Sequence, residues 1–387
     1  MALTILHLGS TGYIGGAVLH ALLQSPPPGL ARLVLPVSSP AKAADVQRWR
    51  ASLPSSAAAF SGTVEVPVVP REGPAWYETV EQLSSQADLA INAATSDDLE
   101  LTRAINRGLV KGKRQQGRRG TLIHLSGVQL IESEPVGDYV ETPLYDDGDT
   151  KSIASIPDSA AHRSIDLEIV EADTSGALWA SIVCPALVWG PSPGPGAKLS
   201  TLVPDMVRKA LHNGHATYVG TGKNVWVHVS LRDCVGLITR LVALHLAAGD
   251  KEGEGQGQGE AKREAHEGFY FASYNDDLID FRQVAASIGH VLSVERGLVA
   301  SAEPRAVPCP PFDASMKGVR IEDAARSQAD VDVDARTPIW PCRTNCRCIA
   351  RRGHERLGWS ATDRFDEEAR RQDVRDCLDV ILAETKK

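Results

Sequence analysis

Three groups of residues in this sequence have types and spacings that could do chemistry. Gly9, Gly12 and Gly15 recur at every third position of Gly9-Ser10-Thr11-Gly12-Tyr13-Ile14-Gly15, directly after a short apolar run and before a helical one. Small residues there let the backbone approach a pyrophosphate, an open helix start offers N–H groups and partial positive charge, and the last glycine lets helix and strand pack closely. In that position the pattern points to a dinucleotide. Farther on, His162 and Asp166 stand four residues apart in a helical segment, which sets both on one face. An imidazole titrates near about pH 6.5 and can give or take a proton at neutral pH, with Asp166 to orient it; the same spacing also describes a solvated surface pair. Third, Cys342, Cys346, Cys348 and His354 offer soft ligands, but their spacing matches no zinc pattern and no metal is expected. Tyr145, in Pro143-Leu144-Tyr145-Asp146-Asp147, reads as a loop residue that either folds over a bound cofactor or packs on the surface. Trp226 and His228 share one expected strand and read as packing residues.

The elements that must position these groups alternate. Thr4 to Leu8, Ala31 to Val37, Val64 to Val69, Leu89 to Ala94, Thr121 to Ser126 and Ala180 to Val188 are apolar runs bounded by turn residues, as buried parallel strands are. Helical segments fall between them at Ala17 to Leu23, Asp97 to Gln115 and Ala160 to Ala172, so the expected fold is α/β, a doubly wound parallel sheet of Rossmann type. Residues 1–190 are expected to form the dinucleotide-binding domain. Residues 191–387 are expected to form a smaller substrate lobe, with some elements returning to the first domain. After the Pro/Gly-rich loop at Pro191, helices are expected at Leu199 to Asn213, Phe281 to Leu292 and Phe365 to Leu382, and strands at Thr217 to Val219, Val225 to Val229 and Phe269 to Ala272. Residues 249–268 are too rich in Gly, Glu and Gln to pack and are expected to be a flexible insertion.

Composition narrows the function classes. A net charge of −8 leaves no broad basic field, so neither nucleic acid nor an anionic membrane is an expected partner, and a small-molecule substrate is. The opening MALTILHLGSTGYIGG leads straight into strand and glycine loop without a signal-peptide pattern, and the seven scattered cysteines read as reduced thiols; a cytoplasmic location is expected. The sequence does not specify an oligomeric state.

The Thr11-Gly12 loop, Asn92-Ala93-Ala94, Ile105-Asn106-Arg107-Gly108, the strand Leu122 to Ser126 and Pro185-Ala186-Leu187-Val188-Trp189-Gly190-Pro191 together resemble the extended short-chain dehydrogenase/reductases. The chain is most similar to their atypical NAD(P)-binding epimerase/dehydratase-like members of fungal type, including Leu357-Gly358-Trp359. The resemblance implies that Thr11, Gly12, Tyr13 and Ile14 line the pyrophosphate, Ala93 and Ala94 the adenosine ribose, and Pro185, Ala186 and Leu187 the nicotinamide. An acidic residue at the end of the second strand would select NAD; Ser38, Ser39 and Lys42 stand there instead, so NADP is the expected cofactor and NAD the alternative.

The same resemblance implies a catalytic Ser126, supported by Asn106, and a Tyr-x-x-x-Lys pair in which tyrosine donates the proton and lysine lowers its pKa. This chain departs from that pattern: His162 and Asp166 occupy the Tyr and Lys positions. Three readings follow. One is an NADP(H)-dependent reductase or dehydrogenase acting on a small organic carbonyl, a natural-product intermediate among them, with proton transfer through His162 and Ser126. Another is a non-redox isomerase, cyclase or dehydratase on the same scaffold, and the third a nucleotide-sensing regulator. Whether His162 or Tyr145 is the acid stays open at this point.

Overall fold

The structure is a computed structural model that describes residues 2–54, 59–71, 73–116, 119–251, 264–309 and 340–385. Its centre is one parallel sheet. The contributing strands are β1 (Leu3–Leu8), β2 (Leu30–Val34), β3 (Thr63–Glu65), β4 (Leu89–Asn92), β5 (Thr121–Leu125), β7 (Trp179–Pro185) and β12 (Phe269–Ala272). Their order across the sheet is β12-β7-β5-β4-β1-β2-β3, and every pairing is parallel. β4 and β5 are buried at every residue, as strands covered by helices on both faces must be.

Between the strands run α1 (Tyr13–Gln24), α2 (Pro40–Ser52), α3 (Pro74–Ser84), α4 (Leu99–Gln116), α5 (Thr150–Ala154) and α6 (Arg163–Thr174). α4 packs against α3 and α6, while α1 packs against α8 (Leu231–Lys251). Strand order reverses between β1 and β4, which opens a crevice at the carboxyl ends of those two strands. The strand Phe269–Ala272 is expected from sequence, and its place at the sheet edge beside β7 is set by tertiary pairing.

Some expectations need correction. The run Ala180 to Val188 is two strands, β7 and β8 (Leu187–Trp189). The run Val225 to Val229 likewise divides into β10 (Val225–Trp226) and β11 (His228–Ser230), with β11 paired to β8. Tyr145 is not on a loop: it begins the short strand β6 (Tyr145–Asp146), whose partner is the strand Cys348–Ile349, and it is buried. α8 continues to Lys251, inside the range expected to be a flexible insertion; residues 252–263 of that range lie outside the described residues. The helix Pro40–Ser52 has weak apolar periodicity, and both it and Pro74–Ser84 carry proline in the first turn, the start signal that would have found them. Among the described residues no helix is long and apolar enough to cross a membrane.

Candidate functional site

The glycine loop sits where the strand order reverses. Gly9 follows β1 with φ at 82°, and a Cβ there would lie 2.2 Å from the Ala93 carbonyl oxygen beyond β4. Only glycine permits that backbone and that contact. A Cβ on Gly15 would lie 2.2 Å from the Gly9 oxygen, so the first turn of α1 presses on the loop. Gly12 is the N-cap of α1 and no side chain caps the helix, and the hydroxyl of Ser10, buried within the loop, has no hydrogen-bond partner. An uncapped helix start beside an orphaned hydroxyl fits the pyrophosphate of a dinucleotide. Ala94 N–H donates to Asn92 Oδ1 at 3.2 Å, which fixes the adjoining turn.

Residues 191–198 lie over this loop. Ala197 N–H donates to the Thr11 oxygen at 3.0 Å, Ser192 Oγ donates to the Tyr13 oxygen at 2.9 Å, and the Tyr13 hydroxyl donates to the Gly190 carbonyl. At the far end of β2, Ser39 caps α2 by accepting from Lys42 N–H, and Lys42 Nζ donates to Ser38 Oγ at 3.1 Å. Ile14 packs against the core, and Pro185, Ala186 and Leu187 join β7 to β8, with Ala186 N–H bonded to the Ala272 oxygen.

Beyond β5 the acid–base groups gather in an arrangement different from the expected one. His162 precedes α6 as its N-cap, with φ at 63° in the left-handed region, and Nδ1 lies 2.7 Å from Oδ1 of Asp97 in the β4–α4 loop. Its ring faces the backbone of Gly127, where a Cβ would lie 3.5 Å from Nε2. Burial pulls the imidazole down, but the hydrogen bond and charge of Asp97, with Asp166 and Glu132 behind, leave it above its ordinary value.

Asp166 is fully buried and belongs to Ser126, not to His162: Ser126 Oγ lies 3.0 Å from Oδ2. Burial lifts this carboxyl to about 7, against the opposing pull of His162, Ser126 and Arg163. The sequence spacing of four therefore holds, but the partners are exchanged, because His162 lies outside the helix where the i, i+4 rule has no force.

Asn106 is buried on α4 and its amide has no hydrogen-bond partner, so it bonds neither Ser126 nor His162. Burial raises the Tyr145 phenol above its ordinary value, against the charge of Arg163, so the phenol holds its proton more tightly. Trp226 and His228 are buried: the Trp226 indole donates to Thr344, and His228 stacks on Tyr274 at 5.4 Å. Cys342, Cys346 and Cys348 are buried thiols, and no group of metal ligands occurs among the described residues.

Asp97 and His124 were missed. Asp97 sits in a polar run, Thr95-Ser96-Asp97-Asp98, that reads as ordinary loop and helix start. His124 is enclosed in β5, with Asn92 Nδ2 3.1 Å from its Nδ1; burial, with His162 adding to it, pushes its imidazole down to about 3 and keeps it neutral.

No family model matches the chain. An oxidase from Acremonium, ucsJ, is 26% identical over 249 residues, which are 62% of this chain, and the chain spans 66% of that relative's length. Among solved structures, a dTDP-glucose 4,6-dehydratase double mutant from Streptomyces venezuelae with NAD bound is similar with a TM-score of 0.58 at 14% identity, over 96% of each chain. A UDP-glucuronic acid 4-epimerase from Bacillus cereus in complex with UDP-glucuronic acid and NAD is similar with a TM-score of 0.57 at 11% identity, over 98% of this chain and 100% of that one. A UDP-glucose 4-epimerase from Thermotoga maritima gives 0.56 at 13%, over 98% and 100%. The protein thus has the Rossmann-type α/β fold of these dehydratases and epimerases, matched along nearly its whole length.

Proposed function

We propose that this protein is an NADP(H)-dependent oxidoreductase acting on a small organic substrate, a secondary-metabolite intermediate among the candidates, in which His162 moves the proton. The observation that carries this reading is that an uncapped, glycine-lined helix start and the His162–Asp97 pair open on the same carboxyl edge of one sheet. Bound there, the nicotinamide would give a hydride to a substrate carbon or take one from it. Asp97 holds Nδ1, so Nε2 on the Gly127 side is the atom left to exchange a proton with a substrate oxygen. Thr11 to Ile14 would hold the pyrophosphate and Ala93 and Ala94 the ribose side. Pro185, Ala186 and Leu187 would bound the nicotinamide. NADP is favoured over NAD because Ser38, Ser39 and Lys42 place hydroxyls and a cation, and no acid, at the end of β2.

A non-redox isomerase, cyclase or dehydratase is the second reading. One observation favours it: two separate acid–base pairs, His162 with Asp97 and Ser126 with Asp166, flank Gly127, where a simple reduction needs a single proton donor. Calorimetric titration with NADPH and NADH tests the cofactor assignment, the expected preference being at least about tenfold, or about 1.4 kcal/mol, for NADPH and reversed by Lys42→Glu. Equal affinities would overturn it. Cofactor absorbance during turnover separates net oxidation or reduction from isomerisation.

A further inference from the structure

The buried carboxyl beside Ser126 is poorly equipped to be an anion. Asp166 has no exposed surface, its Oδ2 has Ser126 Oγ at 3.0 Å, and its Oδ1 has no hydrogen-bond partner. The adjoining Arg163, itself buried, donates from Nη2 to the Ile153 carbonyl at 3.1 Å and makes no hydrogen bond to the carboxyl. His162 is committed to Asp97. An ionised carboxylate enclosed in this way, with one hydroxyl partner and one bare oxygen, is unfavourable relative to the neutral acid, which has a proton to donate.

We propose that Asp166 is a positioning residue that, as a neutral acid, donates a hydrogen bond to Ser126 Oγ and so turns the Ser126 hydroxyl proton outward to a substrate carbonyl oxygen. The proposal rests on reading the cleft beside Ser126 as the reacting site. When Asp166 is ionised the bond reverses: Ser126 donates inward to the carboxylate and only accepts from the cleft. One buried acid therefore decides whether the site presents a donor or an acceptor to the substrate oxygen. The groups facing it are His162 and Arg163 from the start of α6, Asp97 from the β4–α4 loop, Ser126 after β5 and the buried thiol of Cys184 on β7. Burial, the dominant influence among them, lifts the carboxyl to about 7, so the reversal falls near neutral pH.

The direct test is an infrared difference spectrum of protein carrying 13C-carboxyl aspartate, without any ligand, over about pH 5 to 9, with Asp166→Asn as the blank. A protonated-carboxyl band at low pH that is lost as the pH rises through about 7, and is missing from Asp166→Asn, is the expected result. An Asp166 signal that is carboxylate throughout overturns the proposal. In turnover assays Asp166→Ala should lower the rate at least about tenfold and Asp166→Asn, whose amide donates permanently to Ser126, should recover most of that loss and remove the fall in rate across neutral pH. A folded Asp166→Asn as impaired as Asp166→Ala also overturns it. If both variants fail to fold, Asp147→Asn and Asp373→Asn, which remove the other buried carboxyls raised toward this range, serve as the blanks, and a protonated band that survives in both still decides. Because that spectrum is taken without cofactor, failure of dinucleotide binding would sink the proposed function and leave the state of Asp166 measured.

Discussion

His162 Nδ1 meets Asp97 Oδ1 at 2.7 Å across 65 residues of sequence, and the His162 backbone stands in the left-handed region with φ at 63°. Non-glycine residues are uncommon in that region, histidine less so than most, and outliers of this kind cost on the order of 1–3 kcal/mol and cluster at functional sites. The backbone outlier supports the proton-transfer role proposed for His162.

Replacing it should separate function from stability. Asparagine tolerates the left-handed region, so His162→Asn should keep the melting temperature within a few degrees of wild type while turnover falls by about 100-fold to 10,000-fold and dinucleotide affinity changes only a few-fold. Tyr145→Phe, altering a phenol enclosed in β6, should change turnover far less. Steady-state rates with calorimetric binding check both; a Tyr145→Phe enzyme that loses its activity while His162→Asn keeps it would transfer the proton to the phenol.

Gly127 offers a second approach to the same nitrogen. Its φ of −161° suits any residue, and a Cβ would meet His162 Nε2 at 3.5 Å, an ordinary contact. Gly127→Ala should therefore fold normally yet set a methyl group against the atom proposed to exchange the proton, lowering turnover at least about tenfold. A melting curve and a rate suffice, and an unchanged rate would mean that Nε2 is approached from another side.

Stability should report the buried groups as pH changes. Burial pushes His7 and His228 down to about 4 and His124 to about 3, and raises Asp147 to about 6 and Asp166 and Asp373 to about 7. Each histidine contributes stability present above its unfolded value of about 6.5 and lost as pH falls toward 4 or 3; each carboxyl contributes stability present below its unfolded value of about 3.9 and lost as pH rises through 6 to 7. The two sets oppose one another between about pH 4 and 6.5. Both ring nitrogens of His7 lack partners, so His7→Leu breaks no hydrogen bond and should gain on wild type progressively as pH falls from about 6.5 toward 4. Asp373→Asn should instead gain on wild type as pH rises from about 4 to 7. Urea midpoints against pH measure both, and curves running parallel to wild type would show these groups to be ionised in the fold.

What the sequence disclosed follows from which forces are local. The parallel sheet was legible because strands buried on both faces are continuous apolar runs, and the glycine loop because its spacing is imposed by contacts within about ten residues, such as Gly15 against Gly9. The cluster proposed as the acid–base site was legible only in its members. Ser126, His162 and Asp166 were singled out, but their pairing depends on where α6 starts, and a helix boundary is uncertain by more than the single residue that moved His162 out of the helix. Asp97 could not be found at all, since its partner is 65 residues away and its local sequence is that of a common helix start. Tyr145 was misplaced for a related reason: a two-residue strand held by Cys348–Ile349 leaves no periodicity to read.

The segment over the nucleotide loop gives the last prediction. Ala197 N–H bonds the Thr11 oxygen, and Trp49 Nε1 holds the Pro193 oxygen at 2.8 Å, so the segment is tied to the loop on one side and to α2 on the other. A Cβ on Gly196 would fall 2.0 Å from the Thr11 oxygen, and one on Gly194 2.4 Å from the Gly16 carbonyl carbon. Both obstacles are backbone atoms, which cannot rotate away as a side chain would. Gly196→Ala should therefore lift the segment from the loop, and because Thr11 and Tyr13 lose neighbours that fix their positions, dinucleotide affinity should weaken by about tenfold or more. General destabilisation has to be separated from this. Gly214, at the end of α7 (Leu202–Asn213), has φ at 73° and no heavy atom near its Cβ position, so Gly214→Ala should cost on the order of 1 kcal/mol of stability through backbone strain alone and leave affinity unchanged. If Gly196→Ala binds dinucleotide as tightly as Gly214→Ala does, the segment only covers the loop, and the loop holds its shape through the Gly9–Ala93 contact instead.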